Sequence, residues 1–151
     1  MPAPKSVVKI NSKGVTYTSS VDKAQYFVFE LTRAALRDVG KFVVKNFKTM
    51  FYNEFHKTTG NVGKGTKYKV FSGKSTTHPR VQVGIGGAGF YGAFQELGTS
   101  KMKKYGFLSR AAEENIAEIV KIESQYLSAL EDEAKALELI DEEEMIGGED
   151  E

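Results

Sequence analysis

The sequence predicts an α+β domain: a small antiparallel sheet packed by two long helices, followed by a disordered acidic C-terminal tail. Three observations carry that expectation. Apolar residues recur at three- and four-residue steps from Phe27 to Phe51, the spacing of one helix face. Two short runs, Thr66 to Phe71 and Arg80 to Ile85, alternate in strand fashion across a polar loop. Helical spacing then returns at Ile116 and continues to Leu137. The chain has 151 residues, 40% hydrophobic and 11% aromatic, which suits one modest core. A single assembly domain is placed at residues 1–138 and the tail at residues 139–151.

The elements follow in order. Val7, Val8 and Ile10, a turn cluster at Asn11 to Gly14, and Val15 and Tyr17 alternating with threonines predict a strand pair near the start. Ser19 with Asp22 three residues on matches a capping box, in which hydroxyl and carboxylate satisfy free backbone N–H groups. The first long helix runs from there, with Phe27, Leu31, Ala34, Ala35, Phe42, Val43, Phe47, Met50 and Phe51 as its core stripe. Arg33, Arg37, Lys41, Lys45 and Lys48 lie mostly off that stripe. Gly40 sits inside it and costs roughly 1 kcal/mol relative to alanine, so close approach of another backbone is its expected use. The helix should end before Thr58-Thr59-Gly60, where glycine takes the left-handed cap.

Residues 60–65 read as a flexible basic loop. In the hairpin that follows, Tyr68 and Val70 oppose Lys67, Lys69 and Phe71, and the loop and outward face hold Lys67, Lys69, Lys74, His78 and Arg80. Ser109 is expected to cap the second long helix, with Glu113 and Glu114 favouring its positive end. Ile116, Ile119, Val120, Tyr126, Leu127, Leu130, Ala134 and Leu137 would continue it for about seven turns. The pattern thins from Glu131, and Asp141 to Glu151 reads as disordered. Truncation after Ala136 is expected to leave folding intact.

The formal net charge of +1 conceals a division. Residues 1–110 carry 19 Lys or Arg against 5 Asp or Glu, and residues 111–151 carry 2 against 15, balances of +14 and −13. Such asymmetry points to an electrostatic partner for each part. The basic part suits nucleic acid or an acidic protein surface; the acidic part suits the basic part, in the same chain or a neighbouring subunit. A merely solubilising tail is the plainer alternative. With no cysteine, a disulfide framework and a thiolate metal site are both excluded. No apolar run matches a signal peptide or a membrane span, so a soluble protein made in a reducing cytosol, with no membrane partner, is expected.

Nucleotide and catalytic motifs are poorly supported. Gly84-Ile85-Gly86-Gly87-Ala88-Gly89 satisfies G-x-G-x-x-G after a strand, but the helix, the βαβ context and the later acid of a dinucleotide site are missing. A tight turn or bulge needing positive φ explains those glycines better. Gly73-Lys74-Ser75 resembles the end of a phosphate-binding loop, yet Tyr68 stands where its first glycine belongs. His56 and His78 are the only histidines, neither at metal-ligand spacing, and no serine sits in a nucleophile context. The stronger chemical signal is cationic residues interleaved with aromatics on the hairpin, which suits a nucleic-acid backbone without sequence reading.

The most specific stretch is Phe90 to Leu108. It contains Tyr91-x-x-Phe94-x-Glu96-x-Gly98-Thr99-Ser100-Lys101-Met102, then Phe107-Leu108 opening a helix. From the residues alone, Tyr91, Phe94 and Leu97 are expected to anchor the core. Glu96 is expected to cap or to pair with a nearby Lys or Arg. Gly98-Thr99-Ser100 should make a tight turn that presents Lys101, Met102, Lys103 and Lys104 as an exposed loop. That block either only folds the domain or also contacts the next subunit.

This order resembles a signature of one bacteriophage family, the neck and tail-completion (head–tail joining) proteins of long-tailed phages and prophages. In that family a long helix leads into a glycine-containing loop and a strand hairpin. The Y-x-x-F/Y-x-E-x-G-T block follows, then a short proline-rich passage and an F-L-x-x-A helix start. The matching elements here are the helix at 21–57, Thr59-Gly60, strands near 66–86, Tyr91 to Met102, and Phe107-Leu108-Ser109-Arg110-Ala111. One departure is Gly106, where the family usually carries proline; it loosens the turn before the helix.

The resemblance implies a non-enzymatic virion subunit at the neck–tail junction, assembled in the bacterial host cytoplasm. It implies a homo-oligomeric ring, expected to be a hexamer, that joins head connector, other neck proteins and tail-terminator proteins around a DNA channel. No cofactor or metal is implied. A basic inner wall would make Lys64, Lys67, Lys69, Lys74 and Arg80 the channel candidates. Tyr91, Phe94, Glu96, Gly98, Thr99, Ser100, Lys101, Met102, Phe107 and Leu108 are the interface candidates. Loops 60–65 and 98–106 are expected to order only on docking. The alternative reading is a basic nucleic-acid-binding module with an autoinhibitory acidic tail.

Overall fold

The computed structural model describes residues 7–10, 16–19, 21–56, 60–71, 78–132 and 135–140. The acidic stretch 141–151, Lys74 and the turn at 11–15 lie outside the described residues. The architecture is α+β and mainly helical, with two separate two-stranded antiparallel sheets among the described residues. The chain divides into two compact units, Met1–Ala34 with Gln125–Glu151, and Ala35–Ser124.

In the first unit, strands β1 (Val7–Ile10) and β2 (Thr16–Ser19) form the expected pair, with Val7 opposite Ser19 and Ile10 opposite Thr16. Helix α1 (Val21–Glu54) follows, 34 residues long. Its start corrects the capping-box expectation: Ser19 ends the strand ladder, and the helix begins only at Val21. The apolar stripe of α1 buries Phe27, Leu31 and Ala34 in this unit, where Tyr126, Ala129, Ala136 and Ile140 are buried too. Residues 135–140 are helical. Because Ile140 is buried, truncation after Ala136 removes a packed side chain and not merely solvated tail.

The second unit holds the main core. Val39, Val43, Phe47 and Phe51 of α1 meet Phe107 and Ala111, and Val81, Val83 and Ile85 pack against that cluster. Strands β3 (Thr66–Phe71) and β4 (Arg80–Ile85) pair antiparallel from Thr66–Ile85 to Phe71–Arg80, as the alternation predicts. Gly40 is buried under this hairpin: a Cβ there would lie 2.6 Å from Tyr68 Cδ2. The close neighbour is therefore an aromatic ring, not a backbone.

Two expectations about the rest of this unit are corrected. Residues 60–65 are not a flexible loop but enter helix α2 (Asn61–Gly65), preceded by Gly60 at φ +72°. The Tyr52 hydroxyl accepts the Gly63 N–H at 3.0 Å, and buried Thr66 donates its hydroxyl to the Val62 carbonyl at 2.7 Å. These bonds tie a glycine-rich, intrinsically weak helix to its surroundings.

The second long helix is broken into α4 (Phe107–Glu113) and α5 (Ile116–Ser128), followed by a 3₁₀ turn at Ala129–Glu131. Asn115 causes the first break. Its side-chain amide donates to the Ala111 carbonyl at 3.0 Å and its N–H to the Ala112 carbonyl at 3.2 Å, which diverts the helical ladder. Ile116, Val120, Leu127 and Leu130, which share the helical spacing of this segment, are exposed on the surface.

Candidate functional site

Glycine contacts build the site from below. A Cβ on Gly65 would lie 2.3 Å from the Gly86 carbonyl oxygen, and one on Gly89 would lie 2.7 Å from the Asn61 carbonyl oxygen. Only backbone without side chains can approach this closely, so the glycine-rich corner serves to seat α2 against the 3₁₀ turn at Gly87–Gly89. Gly87 also takes φ +57°, the positive angle expected in this segment.

Helix α3 (Tyr91–Leu97) leaves that corner. Its small residue Gly92 is buried, and a Cβ there would press on Val62 Cγ1 at 2.9 Å and Ile85 Cδ1 at 3.3 Å. The helix therefore packs its smallest residue inward and turns its large apolar side chains out. Phe90 is 50% exposed, Tyr91 64%, Phe94 48% and Leu97 73%. Tyr91, Phe94 and Leu97 are thus not core anchors; this is the main correction to the motif reading. The rings of Phe90 and Tyr91 lie 4.0 Å apart and those of Phe90 and Phe94 6.3 Å apart, forming one cluster on the surface. Positions 90, 94 and 97 share one helix face and Gly92 lies off it, a spacing that fits either face turned inward.

The turn after α3 has the expected form. Gly98 stands at φ +78°, ψ 168°, a region almost confined to glycine, and its N–H donates to the Phe94 carbonyl at 2.8 Å. Thr99 and Met102 bridge, Thr99 N–H to Met102 carbonyl at 2.8 Å and Met102 N–H to Thr99 carbonyl at 3.3 Å. The Thr99 hydroxyl accepts the Lys101 N–H at 3.3 Å. Ser100, Lys101, Met102, Lys103 and Lys104 are all exposed. Tyr105 returns by donating its N–H to the Gln95 carbonyl at 2.9 Å. The segment 98–106, expected to order only on docking, is ordered within the single chain by these bonds.

Glu96 closes the motif on itself. Its carboxylate accepts the N–H groups of Leu108 at 2.8 Å and Ser109 at 3.0 Å, and the Ser109 hydroxyl at 3.0 Å. Those are the second and third residues of α4, the free donors that a cap residue satisfies, and the negative charge sits at the positive end of the helix. Capping is thus the part Glu96 plays. Ser109 is not the cap residue; it lies inside the first turn. Gly106 precedes α4 at φ +63°, an angle that a proline ring locked near −65° could not reach. Phe107 is buried against Phe51, with ring centroids 6.1 Å apart, and Leu108 packs against the same core. These two residues of the motif are structural.

The channel candidates lie apart from the motif along the chain. Lys67, Lys69 and Arg80 are exposed on the outer face of the β3–β4 hairpin, and Lys64 is exposed on α2. Lys69 Nζ and Arg80 Cζ lie 5.5 Å and 5.2 Å from the centre of the Phe71 ring, close enough for cation–π attraction. The hairpin thus presents an aromatic ring between two cations.

Among the described residues, no group of three or more His, Asp or Glu side chains could hold a metal ion. No described helix is long and apolar enough to cross a membrane. No protein-family model, curated protein or solved structure matches this chain.

Proposed function

We propose that this chain is a non-enzymatic structural subunit of the neck of a long-tailed bacteriophage. In this reading it joins head connector to tail as a homo-oligomeric ring, a hexamer, around the DNA channel, in contact with other neck and tail-terminator proteins. The observation that carries the reading is the aromatic cluster Phe90, Tyr91 and Phe94 with Leu97, held outward in the motif that resembles this family. A contiguous apolar patch on a small protein is unfavourable in water and marks a surface that another protein covers. Within the motif, Glu96, Gly98, Phe107 and Leu108 stiffen the platform, while Tyr91, Phe94, Lys101 and Met102 make the contact. The basic face of the hairpin, Lys67, Lys69 and Arg80, then lines the channel with Lys64, attracting phosphate without reading sequence.

Size-exclusion chromatography with light scattering tests this, on the purified chain alone and mixed with the other neck proteins. A ring or a co-assembly is expected; a monomer under both conditions overturns it. The cation–aromatic arrangement at Phe71 supports a second reading, a nucleic-acid-binding module restrained by its acidic tail. A steep, salt-dependent shift of DNA by the monomer would favour that reading.

A further inference from the structure

The aromatic face of α3 has a counterpart elsewhere in the same unit. On α5, Ile116 is 58% exposed and Val120 52% exposed. With Glu123 they stand at i, i+4 and i+7, one face of the helix. Glu113 lies just before this face, so its apolar residues are bordered by carboxylates. The exposed lysines 101, 103 and 104 follow the face of α3 in the chain instead, and Lys104 lies against Gly98 at its end. The same unit thus carries two exposed apolar surfaces with flanks of opposite sign.

We infer that these surfaces are the two halves of one interface between copies. The aromatic cluster of α3 docks on the Ile116–Val120 face of the next copy, with Lys101 and Lys104 set against Glu113 and Glu123. This rests on the assembly reading above and names its partner surface. The charge pattern selects the geometry. Pairing α3 of one copy with α5 of the next buries both apolar faces and brings lysines to carboxylates, whereas α3 with α3 adds no carboxylate partner for the lysines and α5 with α5 adds no cation for Glu113 and Glu123. A head-to-tail contact leaves each copy with one free half at each end, so it propagates until the ring closes.

The chain has no cysteine, so introduced cysteines would be the only ones. Phe94→Cys and Val120→Cys variants are prepared separately, then mixed and treated with a short bis-maleimide in whichever preparation gives an oligomer by light scattering. Covalent pairs between the two variants, absent when either is treated alone, are the expected result. Linkage of Phe94→Cys to itself would establish a two-fold contact and overturn the inference. An oligomer without the mixed pair would overturn it and leave the assembly reading standing; an unsubstituted chain that stays monomeric, alone and with the other neck proteins, removes both. A second measurement does not depend on cross-linking. Lys101→Glu with Lys104→Glu should weaken self-association by about tenfold, and mixing with a Glu113→Lys, Glu123→Lys chain should restore mixed oligomers. Failure of the mixture to associate better than either variant alone counts equally against the pairing.

Discussion

Two aromatic clusters in this protein use the same residue types and come to opposite ends. At the foot of α1, Phe51 meets Phe55 at 5.0 Å and Phe107 at 6.1 Å, and Tyr105 stacks on Phe107 at 5.4 Å. On α3, Phe90, Tyr91 and Phe94 touch at comparable ring distances yet stay open to solvent. The rings of the first cluster come from two segments distant in sequence, 51–55 and 105–107, so each segment covers the other. The rings of the second come from one short helix and lie side by side. Ring–ring contact alone does not bury a surface; enclosure by other elements does.

The largest test of this contrast is Phe51→Ala. Loss of a buried ring should cost about 3–5 kcal/mol, read as a fall in the urea midpoint. Gly98→Ala should come next. It forces a side chain into a glycine-only backbone region, and its Cβ would lie 2.9 Å from the Lys104 backbone nitrogen. A loss of about 1–3 kcal/mol is expected, with the Thr99–Met102 turn signals shifted in an amide NMR spectrum.

Glu96→Ala removes an acceptor for two backbone N–H groups and one hydroxyl. It should cost about 1–2 kcal/mol, and amide exchange at Leu108 and Ser109 should rise first. Phe94→Ser should be the mildest, changing the thermal midpoint by no more than about 0.5 kcal/mol of stability while lowering the mass seen by light scattering. If Phe94→Ser destabilised as strongly as Phe51→Ala, the contrast between the two clusters would be void.

Much of the candidate site is legible in the residues. Gly98-Thr99-Ser100 reads as a turn because the chain needs positive φ there, and Gly98 takes it. Glu96 reads as a possible cap, although its target twelve residues on is set by how Tyr105 returns to Gln95. The orientation of α3 was not legible. Tyr91, Phe94 and Leu97 have the helical spacing of core residues, and periodicity cannot say which face a helix turns inward. Val62, far away in sequence, decides it together with the nearer Ile85, because both lie where a side chain at position 92 would go. The break at Asn115 was hidden for a similar reason, since apolar spacing runs through it undisturbed.

By itself the sequence determined the local elements: the stripe of α1, the alternation within β3 and β4, and the glycine turns, all of which depend on neighbours within a few residues. It determined the charge division as well. Only the tertiary structure decided which apolar faces are enclosed, because enclosure depends on contacts between segments far apart along the chain. Gly65 against Gly86, Gly40 against Tyr68 and Gly92 against Val62 set those distances. Once α3 lies down on its glycine, its aromatic side has nowhere to point but outward.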